Sequence, residues 1–331
     1  MKFLITGGLG FIGSNFVRYL LHTDKDAIII NLDSMSTGAN PKNLCDLRKN
    51  KRYKFFKGDI TKTQPLSRLM RGVDVVVNFA AETHVDRSIS NPEPFLKSNT
   101  YGVFNLLEQL RRADGVKLIH VSTDEVYGEI DNGSFKETGS LNPSSPYSAS
   151  KAAGDMLVLA YCKTYGVNAL VSRCTNNFGP HQHPEKFIPK TIIRAMLDLP
   201  IPIYGTGKNV RDWIYVIDNC EAVNLLIKKG KPGEVYNISA GNEIENLEVA
   251  RRILELMGKE EDLITFVNDR PGHDFRYSLD SSKIRKFGWK PRHSFDEALK
   301  QTVEWYMENK WWWKPLVTKK VIHPTPWKLR W

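Results

Sequence analysis

Three glycines spaced three apart, Gly7, Gly10 and Gly13 in the run GGLGFIG, follow directly on the short apolar segment 2–6. They open a stretch, 11–21, whose apolar residues recur at helical spacing. A chain that turns tightly off a strand and starts a helix with no side chains in the way presents bare backbone N–H groups and the positive end of a helix. That is a cradle for a pyrophosphate, with Phe11 and Ile12 beside the glycines. A second apolar run, 27–32, ends at Asp33, 20 residues after Gly13. A carboxylate there can accept hydrogen bonds from both adenosine ribose hydroxyls and would repel a 2′-phosphate, so the pattern predicts NAD rather than NADP. Asp59 and Ile60, after a third run, could flank adenine, and Ala80 and Ala81, after a fourth, would let a cofactor lie close to the backbone.

The same grammar continues. Segments 53–56, 73–79, 116–122 and 168–173 read as strands, and 95–112 and 148–165 as helices. Continuous apolar strands alternating with helices imply an α/β fold, a Rossmann-type doubly wound parallel sheet covered on both faces. Beyond 175 the chain becomes loop-rich, with Pro180, Pro184, Pro189, Pro200 and Pro202 interrupting regular structure. The expected division is residues 1–175 as the cofactor-binding domain, residues 176–315 mainly as a smaller α/β C-terminal substrate domain, and residues 316–331 as a tail. Segments 211–217 and 219–228 look like a strand and a helix that return to the first domain. The tail, with Lys319, Lys320, Trp327, Arg330 and Trp331, is expected to dock on a partner subunit.

Composition excludes more than it selects. The net charge of +10 comes from Lys and Arg scattered along the chain, which reads as a solvated basic surface rather than a nucleic-acid footprint, and also suits a diphosphate ligand. Cys45, Cys162, Cys174 and Cys220 lack the paired spacing of a zinc site, so no metal is expected. No apolar run reaches the ~18 residues of a membrane span, and Met1-Lys2 leads straight into a strand-like segment, so a cytoplasmic protein is expected.

Chemistry is carried by two further segments. Ser122 to Gly128, STDEVYG, follows the fifth apolar run, and Tyr147 and Lys151 open the next helix four residues apart, on one face. An ammonium near a phenol favours the phenolate, so the pair can act as a base. With Thr123 in the place of the family's catalytic Ser or Thr, the chain resembles the extended short-chain dehydrogenases, the NAD-dependent epimerase/dehydratase family. The Asp124-Glu125 pair that follows is similar to the acid–base pair of the dTDP-glucose 4,6-dehydratases. Further matches run through AAETHVDRS (80–88), NNFGP (176–180), PEKFIP (184–189), GKNVRDW (207–213) and DRPGHD (269–274), and cover nearly all of residues 1–315.

The resemblance implies a reaction. Tyr147 takes the sugar O4 proton while C4 gives hydride to NAD, with Thr123 orienting O4. The 4-ketone acidifies C5–H; Glu125 removes that proton, Asp124 donates to the departing C6 hydroxyl, hydride returns to C6, and C5 is reprotonated. It also implies that Ser34, Ser98 and Asn177 join the cofactor site. Thr83, Thr123, Asn176, Lys186, Phe187, Pro202, Ile203, Tyr204, Arg211, Asn246, Arg270 and His273 would hold the nucleotide sugar, with a homodimer as the assembly. Arg211 and Lys186 suit the phosphates. Pro202, Ile203 and Tyr204 suit an apolar wall for the base. Two departures, Thr83 for serine and His181 for tyrosine after Gly-Pro, bear on sugar or base preference. The competing readings are a UDP-glucose 4,6-dehydratase, a UDP-hexose 4-epimerase, which needs no acid–base pair at 124 and 125, and a non-catalytic NAD-binding or RNA-binding protein.

Overall fold

A computed structural model describes residues 1–331, apart from the side chain of Pro65. The strands are β1 (Lys2–Thr6), β2 (Ile28–Asp33), β3 (Tyr53–Lys57), β4 (Val75–Asn78), β5 (Lys117–Thr123), β6 (Ala169–Cys174), β7 (Asn176–Phe178), β8 (Ile201–Tyr204), β9 (Val210–Tyr215), β10 (Val235–Ile238), β11 (Glu243–Glu245) and β12 (Ile264–Val267). Seven of them form one parallel sheet in the order β10-β6-β5-β4-β1-β2-β3, the Rossmann arrangement with its switch point between β1 and β4. Alternate residues of each strand serve opposite faces. Phe3, Ile5, Ile29, Val75 and Val77 pack under helices Phe11–Thr23 and Val216–Lys229. Leu4, Ile30, Val76, Leu118 and Val171 pack on the other side under helices Gly102–Leu110 and Pro146–Tyr165.

The second region is built on two small sheets, β11-β9-β7 and β12-β8, around a core of Phe178, Ile192, Trp213, Ile253, Leu299, Trp312 and Trp313. The helix expected to return to the first region does so, lying against helix Phe11–Thr23. Its preceding strand does not: β9 pairs with β7 and β11 instead. The chain then re-enters the large sheet through β10, a strand the sequence pattern did not single out. Two prolines read as breakers sit inside elements. Pro189 lies in the first turn of helix Phe187–Met196 and Pro202 in β8, which has a partner strand on one side only. Both places leave the missing N–H uncontested.

The tail lies on its own chain. Lys190 Nζ donates to the His323 carbonyl (3.4 Å) and Arg194 to that of Ile322 (2.6 Å). Trp327 meets Tyr204 edge-on with ring centroids 4.6 Å apart, and the Arg87 guanidinium sits 3.7 Å over the Trp331 ring. The aromatic and basic residues of both segments make these intrachain contacts available.

Candidate active site

The first cleft opens at the C-terminal ends of β1, β2 and β4, where order reverses in the sheet. Gly7 has φ +72°, and a Cβ there would fall 2.6 Å from the Ala80 nitrogen; one at Gly13 would fall 2.4 Å from the Gly7 carbonyl oxygen. Only glycine lets this loop fold back so closely on β4 and on itself. The Asp33 carboxylate, raised by burial, accepts from the Leu9 and Met35 N–H groups at 2.9 and 2.7 Å, tying the loop to β2. The cleft gathers every residue expected of a cofactor site: Gly7, Gly10, Phe11, Ile12, Gly13, Asp33, Ser34, Asp59, Ile60, Ala80, Ala81, Ser98, Tyr147, Lys151 and Asn177. The backbone cradle and the buried Asn177 Oδ1, unpartnered among the described residues, fit a dinucleotide.

At the inner end of that cleft stands the chemical group. A capping box between Ser145 and Ser148, with Pro146 in the first turn, fixes where helix Pro146–Tyr165 begins, and Tyr147 N–H donates to the Ser88 hydroxyl (3.2 Å). Tyr147 and Lys151 therefore emerge side by side into the cleft. From β5, Thr123 caps a short turn, Asp124–Tyr127, that carries the two carboxyl groups. The Thr123 hydroxyl donates to Asp124 Oδ1 at 3.0 Å, while the buried Oδ2 has no partner among the described residues.

Electrostatics divide this pair. Burial and the neighbouring Glu125 push Asp124 up to about 8, so it is protonated at neutral pH, and a protonated carboxyl with a free oxygen is a proton donor. Glu125 is also raised by burial, but Arg270, Lys186 and Arg211 all oppose that and favour its carboxylate. Tyr147 departs from expectation. Its phenol is raised well above the usual range by burial, Glu125 and Cys174, and Lys151 does not offset this. The Lys151 ammonium is committed to the Val121 carbonyl, 2.8 Å away, and is itself lowered by burial.

A second cleft joins the first through Glu125, Asn176, Glu185 and Lys186. Phe187, Pro202, Ile203, Tyr204, Arg211, Asn246, Arg270 and His273 line it, while Thr83 and Thr123 lie in the first cleft, where Asn176 and Lys186 bridge the two. Arg211 is held by the Val210, Phe275 and Asp274 carbonyls and stacks on Tyr277 at 4.3 Å; Arg270 pairs with Asp86 at 3.0 Å. Lys186 donates to the Thr83 carbonyl (2.6 Å), and Phe187 stacks on Trp213. Asn176 Oδ1, Trp213 Nε1, Asn246 Oδ1 and Arg270 Nε are buried here without protein partners among the described residues. With His84 Nε2, which is also buried and unpartnered among the described residues, five unsatisfied polar atoms belong to residues around one cleft, and they are costly unless a polar ligand completes them.

Sequence reasoning missed several residues of this wall, among them Asp86, Lys190, Trp213 and Tyr277. Asp86 accepts from both the Tyr204 hydroxyl and Arg270, joining two segments far apart in the chain. Only Asp86 and Trp213 stood within the matched runs, and neither spacing nor residue type marked them. His181 is a correction. It lies between Trp305 and Trp312, with centroids 4.7 and 5.6 Å away, and lines neither cleft, so it belongs to packing of the second core.

Comparison with known proteins agrees with this geometry. The family model described as GDP-mannose 4,6 dehydratase matches residues 4–302. The low-salt glycan biosynthesis protein Agl12 of Haloferax volcanii is 48% identical over 93% of this chain and 99% of its own length. The dTDP-glucose 4,6-dehydratase of Mycobacterium tuberculosis is 45% identical over 96% of each. The crystal structure of DesIV, a dTDP-glucose 4,6-dehydratase from Streptomyces venezuelae solved with NAD bound, superposes with a TM-score of 0.93 at 45% identity, covering 96% of this chain and all of that one. With a glycine cradle, a Tyr–Lys helix and a divided carboxyl pair on one Rossmann sheet, the chain belongs to the GDP-mannose 4,6 dehydratase family.

Proposed function

We propose that the chain is an NAD-dependent 4,6-dehydratase that converts dTDP-glucose to dTDP-4-keto-6-deoxyglucose, a step of deoxysugar biosynthesis of the rhamnose type. The observation that carries this reading is the carboxyl pair: a neutral Asp124 with a free oxygen beside a Glu125 ringed by cations, at the junction of the two clefts. An epimerase moves hydride at C4 alone and has no use for such a division; elimination of water needs one base and one acid. The relatives named for dTDP-glucose support the choice of base and sugar.

NAD, when bound in the first cleft, supplies the oxidant that accepts hydride from C4 and returns it to C6. Tyr147 reacts as its phenolate, a state that the positive charges of Lys151 and of bound NAD would favour over the neutral phenol that burial alone prefers, and accepts the O4 proton, with the Thr123 hydroxyl orienting that oxygen. Glu125 removes the C5 proton once C4 is a ketone. Asp124 then gives its proton to the C6 oxygen, so that water leaves, and Glu125 hands its proton back to C5 as hydride is returned to C6. Arg211, Arg270 and Lys186 hold the diphosphate, and Asn176 and Asn246 complete the ligand's polar contacts. In this assignment residues 1–175, with the returning helix Val216–Lys229 packed behind them, mainly serve the cofactor, and the rest of residues 176–315, Arg211 included, mainly serve the nucleotide sugar.

The protein works as a cytoplasmic homodimer in this reading. Leu96, Tyr101 and Met156, all more than half exposed, lie on two adjacent helical segments and supply an apolar face for a second copy. No helix among the described residues is long and apolar enough to cross a membrane. The deciding experiment incubates the NAD-loaded protein with dTDP-glucose and, separately, UDP-glucose, and follows loss of one water by mass and the ultraviolet absorbance of the keto product in alkali. Faster product from dTDP-glucose is expected. Water loss from neither substrate, with NAD bound, would end the dehydratase reading.

A further inference from the structure

Beneath Lys151 lies a set of buried charges that the reaction scheme does not use. Asp155, one helical turn beyond Lys151, is fully buried, and its Oδ2 accepts from Arg173 Nε at 2.8 Å. Its Oδ1 faces His120 Nε2 at 3.5 Å. The other nitrogen of that ring, Nδ1, accepts from the Asn78 amide at 3.0 Å, and Asn78 in turn accepts from the Thr6 hydroxyl at 2.6 Å. This polarity leaves the histidine proton on Nε2, near Asp155 Oδ1 but without a hydrogen bond to it: both atoms are buried and unpartnered among the described residues. Arg173 stacks on the Tyr127 ring at 4.6 Å, and the Tyr127 hydroxyl is anchored on Asn237 (2.9 Å). An added Cβ at Gly154 would meet the Asn99 carbonyl at 2.8 Å and the His120 ring at 3.4 Å, so the helix lies close against β5 and the segment before helix Gly102–Leu110 at this point.

Two buried cations, Lys151 and Arg173, therefore share one buried anion. The other groups facing them are His120 from β5, Tyr127 from the turn after β5, and Cys174 from β6. His120 is held neutral by burial and by the two cations, and burial pushes the Cys174 thiol up to about 12. We propose, resting on the reading of Tyr147 and Lys151 as the acid–base pair, that Asp155 is a positioning residue: its carboxylate balances Arg173, so Lys151 keeps its proton and one uncompensated positive charge awaits the Tyr147 phenolate.

Burial lowers Lys151, and Asp155 is the first group that works against it; burial also raises Asp155 itself, and Arg173 and Lys151 are the groups that pull it back toward the carboxylate. Without Asp155 the two cations repel in a medium of low dielectric, and every nearby proton leaves at lower pH.

The test isolates the first half-reaction. With dTDP-6-deoxyglucose, which has no C6 hydroxyl to lose, C4 hydride passes to NAD and the O4 proton to Tyr147, and nothing is asked of Asp124 or Glu125. NADH absorbance against pH then reports the Tyr147–Lys151 pair. Asp155→Asn, nearly isosteric, is expected to move that profile to lower pH by roughly one unit while KM for the sugar nucleotide changes less than about twofold. Asp155→Asn with Arg173→Gln removes one charge of each sign, and the profile is expected to return to the wild-type pH. A folded, NAD-loaded Asp155→Asn protein whose rate falls equally at every pH would overturn the proposal. So would a charge-neutral double variant with a displaced profile, which also decides the matter should the single variant not fold. Failure of the underlying reading looks different: Tyr147→Phe would then still reduce NAD.

Discussion

Replacing Asp124 by Asn removes an acid that the fold prefers neutral, and the consequence for stability can be worked out. Asp124 titrates at about 8 in the folded protein against 3.8 when free. A group raised on folding binds its proton more tightly in the native state, so the native protein loses stability as pH rises above the unfolded value, until the folded value is reached. Linkage puts that loss at about 1.4 kcal/mol per pH unit, hence about 4 kcal/mol accumulated by about pH 7. Asparagine keeps the shape and stays neutral. Urea unfolding of wild type and Asp124→Asn across pH should therefore show curves that diverge, the variant gaining roughly 2–3 kcal/mol on wild type between about pH 5 and pH 7. Dehydration should fall by a factor on the order of 10² or more, because the C6 oxygen loses its proton donor, while C4 oxidation persists. A stability difference independent of pH would mean that Asp124 is ionised in the folded protein, and its assignment as the acid would go with it.

Three further outcomes follow from the same geometry. Glu125→Gln should retain NAD and oxidise C4 yet lose exchange of the C5 hydrogen with deuterated solvent and slow dehydration by about 10²-fold or more, read by NMR. Tyr147→Phe should abolish NADH formation from the 6-deoxy substrate while the sugar nucleotide still binds, measured by calorimetry; near-normal reduction would remove Tyr147 from the oxidation step. Gly13→Ala would place a methyl 2.4 Å from the Gly7 carbonyl oxygen, forcing the loop to shift. NAD affinity of the cofactor-stripped protein should then fall at least about tenfold, for a strain on the order of 1–3 kcal/mol.

What could be read from the sequence divides along a physical line. The cofactor cleft was legible because its chemistry is local: Gly7, Gly10 and Gly13 announce a turn by what they lack, and Asp33 stands at a fixed distance along one βαβ unit. The Tyr147–Lys151 pair was legible for the same reason, as one turn of one helix. The second cleft was reached only through resemblance, since its wall joins Asp86, Lys190, Trp213 and Tyr277 from segments that no periodicity connects. Charge states were the least accessible. That Lys151 spends a hydrogen bond on Val121 and leaves the Tyr147 phenol raised depends on burial and on neighbours from β5 and β6. His181 misled because a position after Gly-Pro near the site folds away into the tryptophan cluster.

The late arrival of β10 governs how this chain can be made. Its place in the large sheet, beside β6, stays vacant until Val235–Ile238 has been synthesised, long after the other six strands are available. During that interval β6 presents an open row of amides and carbonyls on an apolar strand, the kind of edge that recruits a foreign strand. No single cut of the chain separates the cofactor region from the nucleotide-sugar region, so a fragment ending near residue 175 would carry a complete glycine cradle and an unsealed sheet. Such a piece is expected to aggregate on the ribosome's timescale, and exchange of the second region between relatives succeeds only if β10 and helix Val216–Lys229 travel with the first.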